Sequence, residues 1–257
     1  MTIWNGFARC REVCRFHFKE STELGTVLAV GICLICAGCV RSAMKTSEDQ
    51  PSRQAANEVG AEQPALELRP GASVSLFDGT SLGFWKATDF GAQGSVYVKD
   101  GAIYMEAGDP ITGITWTGPV VRMNYEITLE AARVEGHDFF CALTFPFGES
   151  PCTLVLGGWN GSVCGLSSID GYDAANNFTS QIVDFENGRW YHVRLRVVSN
   201  RIQAWLDAEE LVDADTTGRN IDIRFEVTQS QPLGIATWHT TGAVRNVYLR
   251  VLPDWAS

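Results

Sequence analysis

Positive charge is scarce in the later part of this chain. From Gly71 onward there are 12 Lys and Arg against 22 Asp and Glu, and only Lys86 and Lys99 are lysines. Residues 1–70 carry eight of each sign, so the whole formal net charge of -10 lies after them. Such a surface repels phosphate backbones, which argues against nucleic acid as a partner. It suits a neutral or cationic ligand or a metal ion, and it also keeps a domain soluble. Charged residues make up 19% of the chain, against about 25% in typical domains. Several sequence patterns are missing as well. No window reads as an amphipathic helix of three turns, and no repeat of solenoid length occurs. There is no G-x-S-x-G, H-E-x-x-H or phosphate loop, and the three cysteines of the domain show no zinc-type spacing. The E-x-D-x-x-E spacing of sandwich glucanases is absent too, since Glu126 and Glu130 have no Asp between them.

What remains from Ser73 onward is short strands and turns. Asp100-Gly101 between Val96–Val98 and Ala102–Glu106 is a hairpin signal. Tyr125, Ile127 and Leu129 alternate with Glu126, Thr128 and Glu130, which is the period of a strand with one buried face. Tyr191–Val197 alternates likewise, and Phe139–Phe145, Thr153–Leu156, Ser162–Leu166, Ile202–Leu206, Ile221–Val227, Leu233–Trp238 and Val244–Leu252 read as further strands. Many short strands at even spacing predict an all-β, two-sheet antiparallel sandwich spanning residues 71–254. Trp190 and Trp205, which alternate with polar neighbours, are expected in its core, with His192 facing water. Cys141, Cys152 and Cys164 are an odd number, compatible with one disulfide and a spare thiol or with three free thiols.

The segment before the domain reads as an export signal. Leu24–Gly38 is an uncharged apolar run of fifteen residues, the length of a signal-peptide core and short of the about 20 that a membrane span needs. Arg9, Arg11, Arg15 and Lys19 precede it. It ends in Cys36-Ala37-Gly38-Cys39, which resembles the box of bacterial lipoproteins and implies lipidation at Cys39. The expectation is a signal helix over 1–39, a membrane lipid anchor, and a cell-envelope location. Residues 40–70, rich in Ser, Glu, Gln, Ala and Pro, are expected to form a disordered tether.

Candidate site residues fall in the turns. His137 and Asp138 are adjacent, as a base and its orienter or two metal ligands are, or as residues of a solvated turn. Trp159-Asn160-Gly161 reads as a hairpin tip, where Trp159 either stacks on a sugar ring and Asn160 bonds its hydroxyls, or Trp159 packs under its own loop. Asp170 and Tyr172 lie in the longest irregular stretch, Ser167–Thr179, which suits a binding loop or a plain Asp-Gly turn. Trp238 and His239 end a strand, and His239 either faces a cleft or is structural. His137, Asp138, Asp170 and His239 are thus the candidates for catalysis, and Trp159, Asn160, Tyr172 and Trp238 those for substrate binding.

Ser75-Leu76-Phe77-Asp78-Gly79-Thr80-Ser81-Leu82 followed by Trp85 resembles the opening of the 3-keto-disaccharide hydrolase domain family. Val96–Met105, Tyr125–Arg133, Gly188–Arg194 with Ile202–Asp207, and the closing Pro232–Thr237 and Val244–Leu249 are similar to its later strands. The resemblance implies a concanavalin A-like jelly roll of the lectin and glucanase type. It also implies cleavage of 3-keto-glycosides, in which the ketone acidifies the C2 hydrogen and a base, or an oxygen on a divalent metal ion, begins elimination of the aglycone. The stretch from His137 to Phe178 departs from the family's pattern. A second expectation therefore stands beside the hydrolase or lyase: a non-catalytic carbohydrate-binding or adhesion module on the cell envelope. In either case the expected partner is a carbohydrate or glycoside.

Overall fold

The two alternating segments become the centre of one sheet. In the computed structural model, which describes residues 68–253, Tyr125–Glu135 (β6) and Trp190–Val198 (β11) pair antiparallel, with Leu129 opposite Val193 and Ile127 opposite Leu195. Their even partners point one way and their odd partners the other, because successive side chains of a strand alternate faces. Tyr125, Ile127, Leu129 and Ala131 are buried together with Tyr191, Val193, Leu195 and Val197.

Eight strands form this first sheet. Its order is β13 (Glu209–Asp215), β12 (Arg201–Leu206), β11, β6, β15 (Thr241–Val251), β4 (Ala102–Met105) and β3 (Val96–Lys99), with β1 (Ser73–Ser75) also on β15. Seven more form the second: β10 (Gln181–Ile182), β9 (Val163–Ser167), β8 (Ser150–Gly157), β7 (Cys141–Phe147), β14 (Gly234–Trp238), β5 (Ile111–Trp116) and β2 (Trp85–Ala87). Every pairing is antiparallel. The core lies between the sheets and continues through Leu143 and Phe145 of β7 and Leu154 and Leu156 of β8. The predicted all-β sandwich is the observed architecture. The signal segment, Cys39 and the tether lie outside the described residues. Among the described residues no helix is long and apolar enough to cross a membrane.

The three domain cysteines are free, buried thiols facing this core. Burial pushes each of them up to about 12.

Two expectations fail for a geometric reason. Trp190 and Trp205 are half-buried on the outer face of the first sheet, not in its core. Tyr191 and Leu206 point inward, so strand alternation turns their neighbours outward. There the guanidinium of Arg245 stacks on Trp190 at 4.1 Å and that of Arg194 on Trp205 at 3.7 Å, a cation–π arrangement that covers the rings without burying them. His192 is exposed on the same face, as expected.

The second failure matters more for the site. Ile221–Val227 is not a strand. Ile221 makes an isolated bridge to Ile169, and the chain then forms a 3-10 helix over Phe225–Ser230. The segment crosses the outer face of the second sheet, where Ile223 and Val227 pack on Ile111 and Ala236. That face is itself buried: Ala142, Thr144, Thr153, Val155 and Ser167 all point away from the core yet are nearly inaccessible. Strands covered on both sides read as continuous apolar or small-residue runs, as Cys141–Phe147 does.

Candidate functional site

The covering layer over the second sheet is incomplete, and the gap is a cleft of about 240 Å³. Its floor is Ala142 of β7, Thr153 and Val155 of β8 and Ser167 of β9. Its walls are Phe139, Trp159 and Trp238, and charged groups come from Asp138, Arg224 and Glu226. The Phe139 and Trp238 rings lie 6.0 Å apart at 42°.

The loop before β7 places Asp138. Its backbone N–H donates to Thr240 Oγ1 at 3.0 Å, while its carboxylate accepts from the backbone N–H of Phe139 at 2.7 Å and of Asn160 at 3.1 Å. Asp138 thus ties its own loop to the β8–β9 turn that carries Trp159. Trp159 and Asn160 both have positive φ, 48° and 72°, so this turn makes a tight reversal at the cleft wall. Arg133, buried on β6, fixes the same turn from beneath. It donates to the Gly161 carbonyl at 3.3 Å, to Phe185 O at 2.5 Å and to Asn187 Oδ1 at 2.6 Å.

Across the cleft, Arg224 and Glu226 face each other side by side. Arg224 Nη2 donates to Glu226 Oε1 at 2.6 Å and Nε to Oε2 at 3.2 Å, while Nη1 reaches Asp173 Oδ2 at 3.1 Å. Burial alone would push the Glu226 carboxyl up. The Arg224 hydrogen bonds and charge outweigh it and hold that carboxyl below the usual glutamate range. The same pairing, first through its hydrogen bond, raises Arg224. A guanidinium has five N–H donors; three of those of Arg224 are engaged here, which leaves donors for an oxygen in the cleft. On the floor, the Ser167 hydroxyl is buried without a hydrogen-bond partner, beside Thr153, whose own hydroxyl bonds that of Thr144 at 2.9 Å.

Of the residues singled out by sequence, Asp138, Trp159 and Trp238 line the cleft. Asn160 contributes its backbone N–H to Asp138. The others do not line it. His137 is exposed on the preceding turn, and His239 is exposed with its ring edge-on to Trp238 at 5.7 Å. Asp170 is a loop fastener. Its carboxylate takes Arg219 Nη1 at 2.8 Å and the Asn220 N–H at 2.9 Å, and the Arg219 bond first holds it below the usual aspartate range. Tyr172 is 60% exposed beside it. His137, Asp170 and His239 therefore do not share one cleft. Among the described residues no three or more His, Cys, Asp or Glu side chains gather to hold a metal ion. Arg224 and Glu226 escaped the sequence reading because their segment was read as a strand. The signal against a strand was the polar run Thr228-Gln229-Ser230-Gln231 ending at Pro232, which favours a turn.

The fold and the cleft define a two-sheet jelly-roll domain with an open site on the outer face of one sheet. The chain belongs to the 3-keto-alpha-glucoside-1,2-lyase-like domain family, whose model matches residues 72–250. This is the family the opening motif resembled, and it makes the domain a carbohydrate-related one. No curated protein matches the chain in sequence. Among solved structures, a transglycosylase in complex with NAG is similar in fold, with TM-score 0.50, 8% identity, and coverage of 72% of this chain and 86% of that one. The carbohydrate binding module CBM66 from Bacillus subtilis aligns with TM-score 0.42 and 13% identity over 65% of this chain and 95% of its own. Domain 4 of AbnA, an extracellular arabinanase from Geobacillus stearothermophilus, aligns with TM-score 0.45 and 14% identity over 74% and 97%.

Proposed function

We propose that this domain cleaves neutral 3-keto-glycosides by elimination, and that Glu226 and Arg224 carry the chemistry. The observation behind this is a carboxylate and a guanidinium paired inside a cleft walled by three aromatic rings. Apolar faces of a pyranose stack on Trp159, Trp238 and Phe139. The Asp138 carboxylate has lone pairs beyond those used by its backbone donors and accepts a sugar hydroxyl. Glu226, kept ionised by Arg224, takes the proton from C2. The electron pair moves into an enolate whose oxygen, the former C3 ketone, is held by the spare Arg224 donors and charge. The enolate then collapses: C3=O re-forms, the C1–C2 double bond forms, the C1–O bond breaks, and the aglycone oxygen leaves and is protonated. Addition of water across that double bond would complete a net hydrolysis.

A non-catalytic sugar-binding role is favoured by one feature of the same site: both carboxylates already accept hydrogen bonds from the protein. Incubating the protein with 3-keto-glucosides, with and without chelator, and following aglycone release separates the two. Release that Glu226→Gln abolishes supports the lyase or hydrolase. No release under any metal condition, together with retention on neutral glycans, replaces it with the binding module. The sequence before the domain supports display of this activity at the cell envelope through a lipid on Cys39.

A further inference from the structure

The cleft opens over one end of a row of hydroxyls. Thr115 of β5, Gly234 of β14, Thr144 of β7, Thr153 of β8 and Ser167 of β9 stand opposite one another in register across five strands. Their strand neighbours Ile114, Ile235, Leu143, Leu154 and Leu166 belong to the core, so alternation aims the row at the covering layer. At one end the covering segment closes on it. Thr115 Oγ1 donates to the Gln229 carbonyl at 2.9 Å, and Ser230 lies so close over Gly234 that a Cβ there would meet its carbonyl oxygen at 2.5 Å. In the middle, Thr144 and Thr153 bond each other. At the far end the layer is open, and Thr153 and Ser167 line the cleft. Ser167 is 1% exposed, and its hydroxyl has no hydrogen-bond partner.

A buried hydroxyl without a partner destabilises the empty domain. This one stands on the floor of an open cleft, where a ligand oxygen can supply the missing bond. Thr153 is already bonded to Thr144, which leaves Ser167 as the free hydroxyl of the floor. The walls decide which part of a ring reaches it. Phe139, Trp159 and Trp238 take the apolar faces of a pyranose, so the ring stands on edge, and its edges carry the hydroxyls. Arg224 and Glu226 belong to the covering segment, and the floor belongs to the sheet beneath it. A ring whose C1–C3 side meets those two groups turns its opposite edge, C4 to C6, toward Ser167.

We propose that Ser167 is a specificity-determining residue of the cleft: its hydroxyl bonds the C4 or C6 hydroxyl of the bound ring and so selects neutral hexosides that carry it. The inference rests on the sugar-directed reading of the cleft but not on catalysis there. The test measures binding of methyl 3-keto-α-glucoside and of its 4-deoxy and 6-deoxy forms by titration calorimetry, on the full-length protein in a Glu226→Gln background that prevents turnover. One deoxy probe is expected to bind about three- to tenfold more weakly than the parent sugar, the contribution of one hydrogen bond. Ser167→Ala is expected to weaken the parent sugar by the same factor and to leave that deoxy probe unchanged, the signature of a direct contact in a double-mutant cycle. The thermal midpoint of the sugar-free protein should stay or rise with Ser167→Ala, because the substitution removes a buried group that has no partner. A lower midpoint, no loss of sugar affinity, or equal weakening of all three probes overturns the proposal and leaves the sugar-directed reading intact. No binding of the parent sugar overturns both. Binding that follows the expected pattern, in a protein whose native form shows no turnover, would sink the elimination chemistry and leave the Ser167 contact standing.

Discussion

Glu226 and Arg224 show how two side chains set each other's state. The pairing holds the Glu226 carboxyl below its ordinary value of 4.5, so as a base it stays ionised to lower pH than a free glutamate. The acid limb of the turnover profile is expected below that value, and Arg224→Lys, which cannot make the bidentate contact, should move the limb upward. Arg224→Ala should lower turnover by about 10²–10³, the usual cost of losing a charge-stabilising donor; steady-state rates across pH read both effects. The thiols make the opposite kind of prediction. Cys141, Cys152 and Cys164 are buried and pushed up to about 12, so almost no thiolate exists at neutral pH and no reagent reaches it. All three should resist a disulfide reagent in the native domain and react in denaturant.

Turns and strand ends hold the elements together, and two of them can be weighed. Asp78, in the turn after β1, accepts the backbone N–H groups of Ser81 and Thr80 and is lowered from 3.8 to about 2, chiefly by those bonds. A lowered folded-state value means the stabilisation is present above the unfolded value and disappears as pH falls through the folded one. Thermal midpoints should therefore drop between about pH 4 and pH 2, and Asp78→Asn should remove that part of the drop while being less stable at neutral pH. Arg133 ties β6 to the Trp159 turn and to Phe185 and Asn187. Arg133→Leu leaves buried acceptors without donors, at about 1–3 kcal/mol for each group that water cannot reach. Denaturant unfolding should show that loss, and sugar binding should weaken because Trp159 loses its support.

At the scale of the molecule, the acidic domain and the segment before it lead to separate predictions. The formal charge of -10 disfavours polyanions on balance, and binding of a neutral glycan should not weaken as ionic strength is raised. The Cys36–Cys39 motif predicts that Cys39→Ala frees the protein from membranes on fractionation; continued membrane association would make the apolar run an anchor instead.

The sequence alone determined the sandwich, its family and its acidic surface. Alternation in Tyr125–Glu130 and Tyr191–Val197 is a local property of a strand with one buried face, and it shows directly in the order of residues. The same alternation, applied strictly, would have turned Trp190 outward with His192. Asp138, Trp159 and Trp238 were legible because turns next to strands carry polar and aromatic residues that a core does not need. Only the tertiary structure decided which of those turns meet. It brought in Arg224 and Glu226 on a segment that lies across the second sheet rather than within it, and it left His137, Asp170 and His239 outside the cleft. Residues 138 and 226 become neighbours of one cavity through the packing of a covering layer over a sheet, and contacts of that separation leave no periodic trace in a single chain.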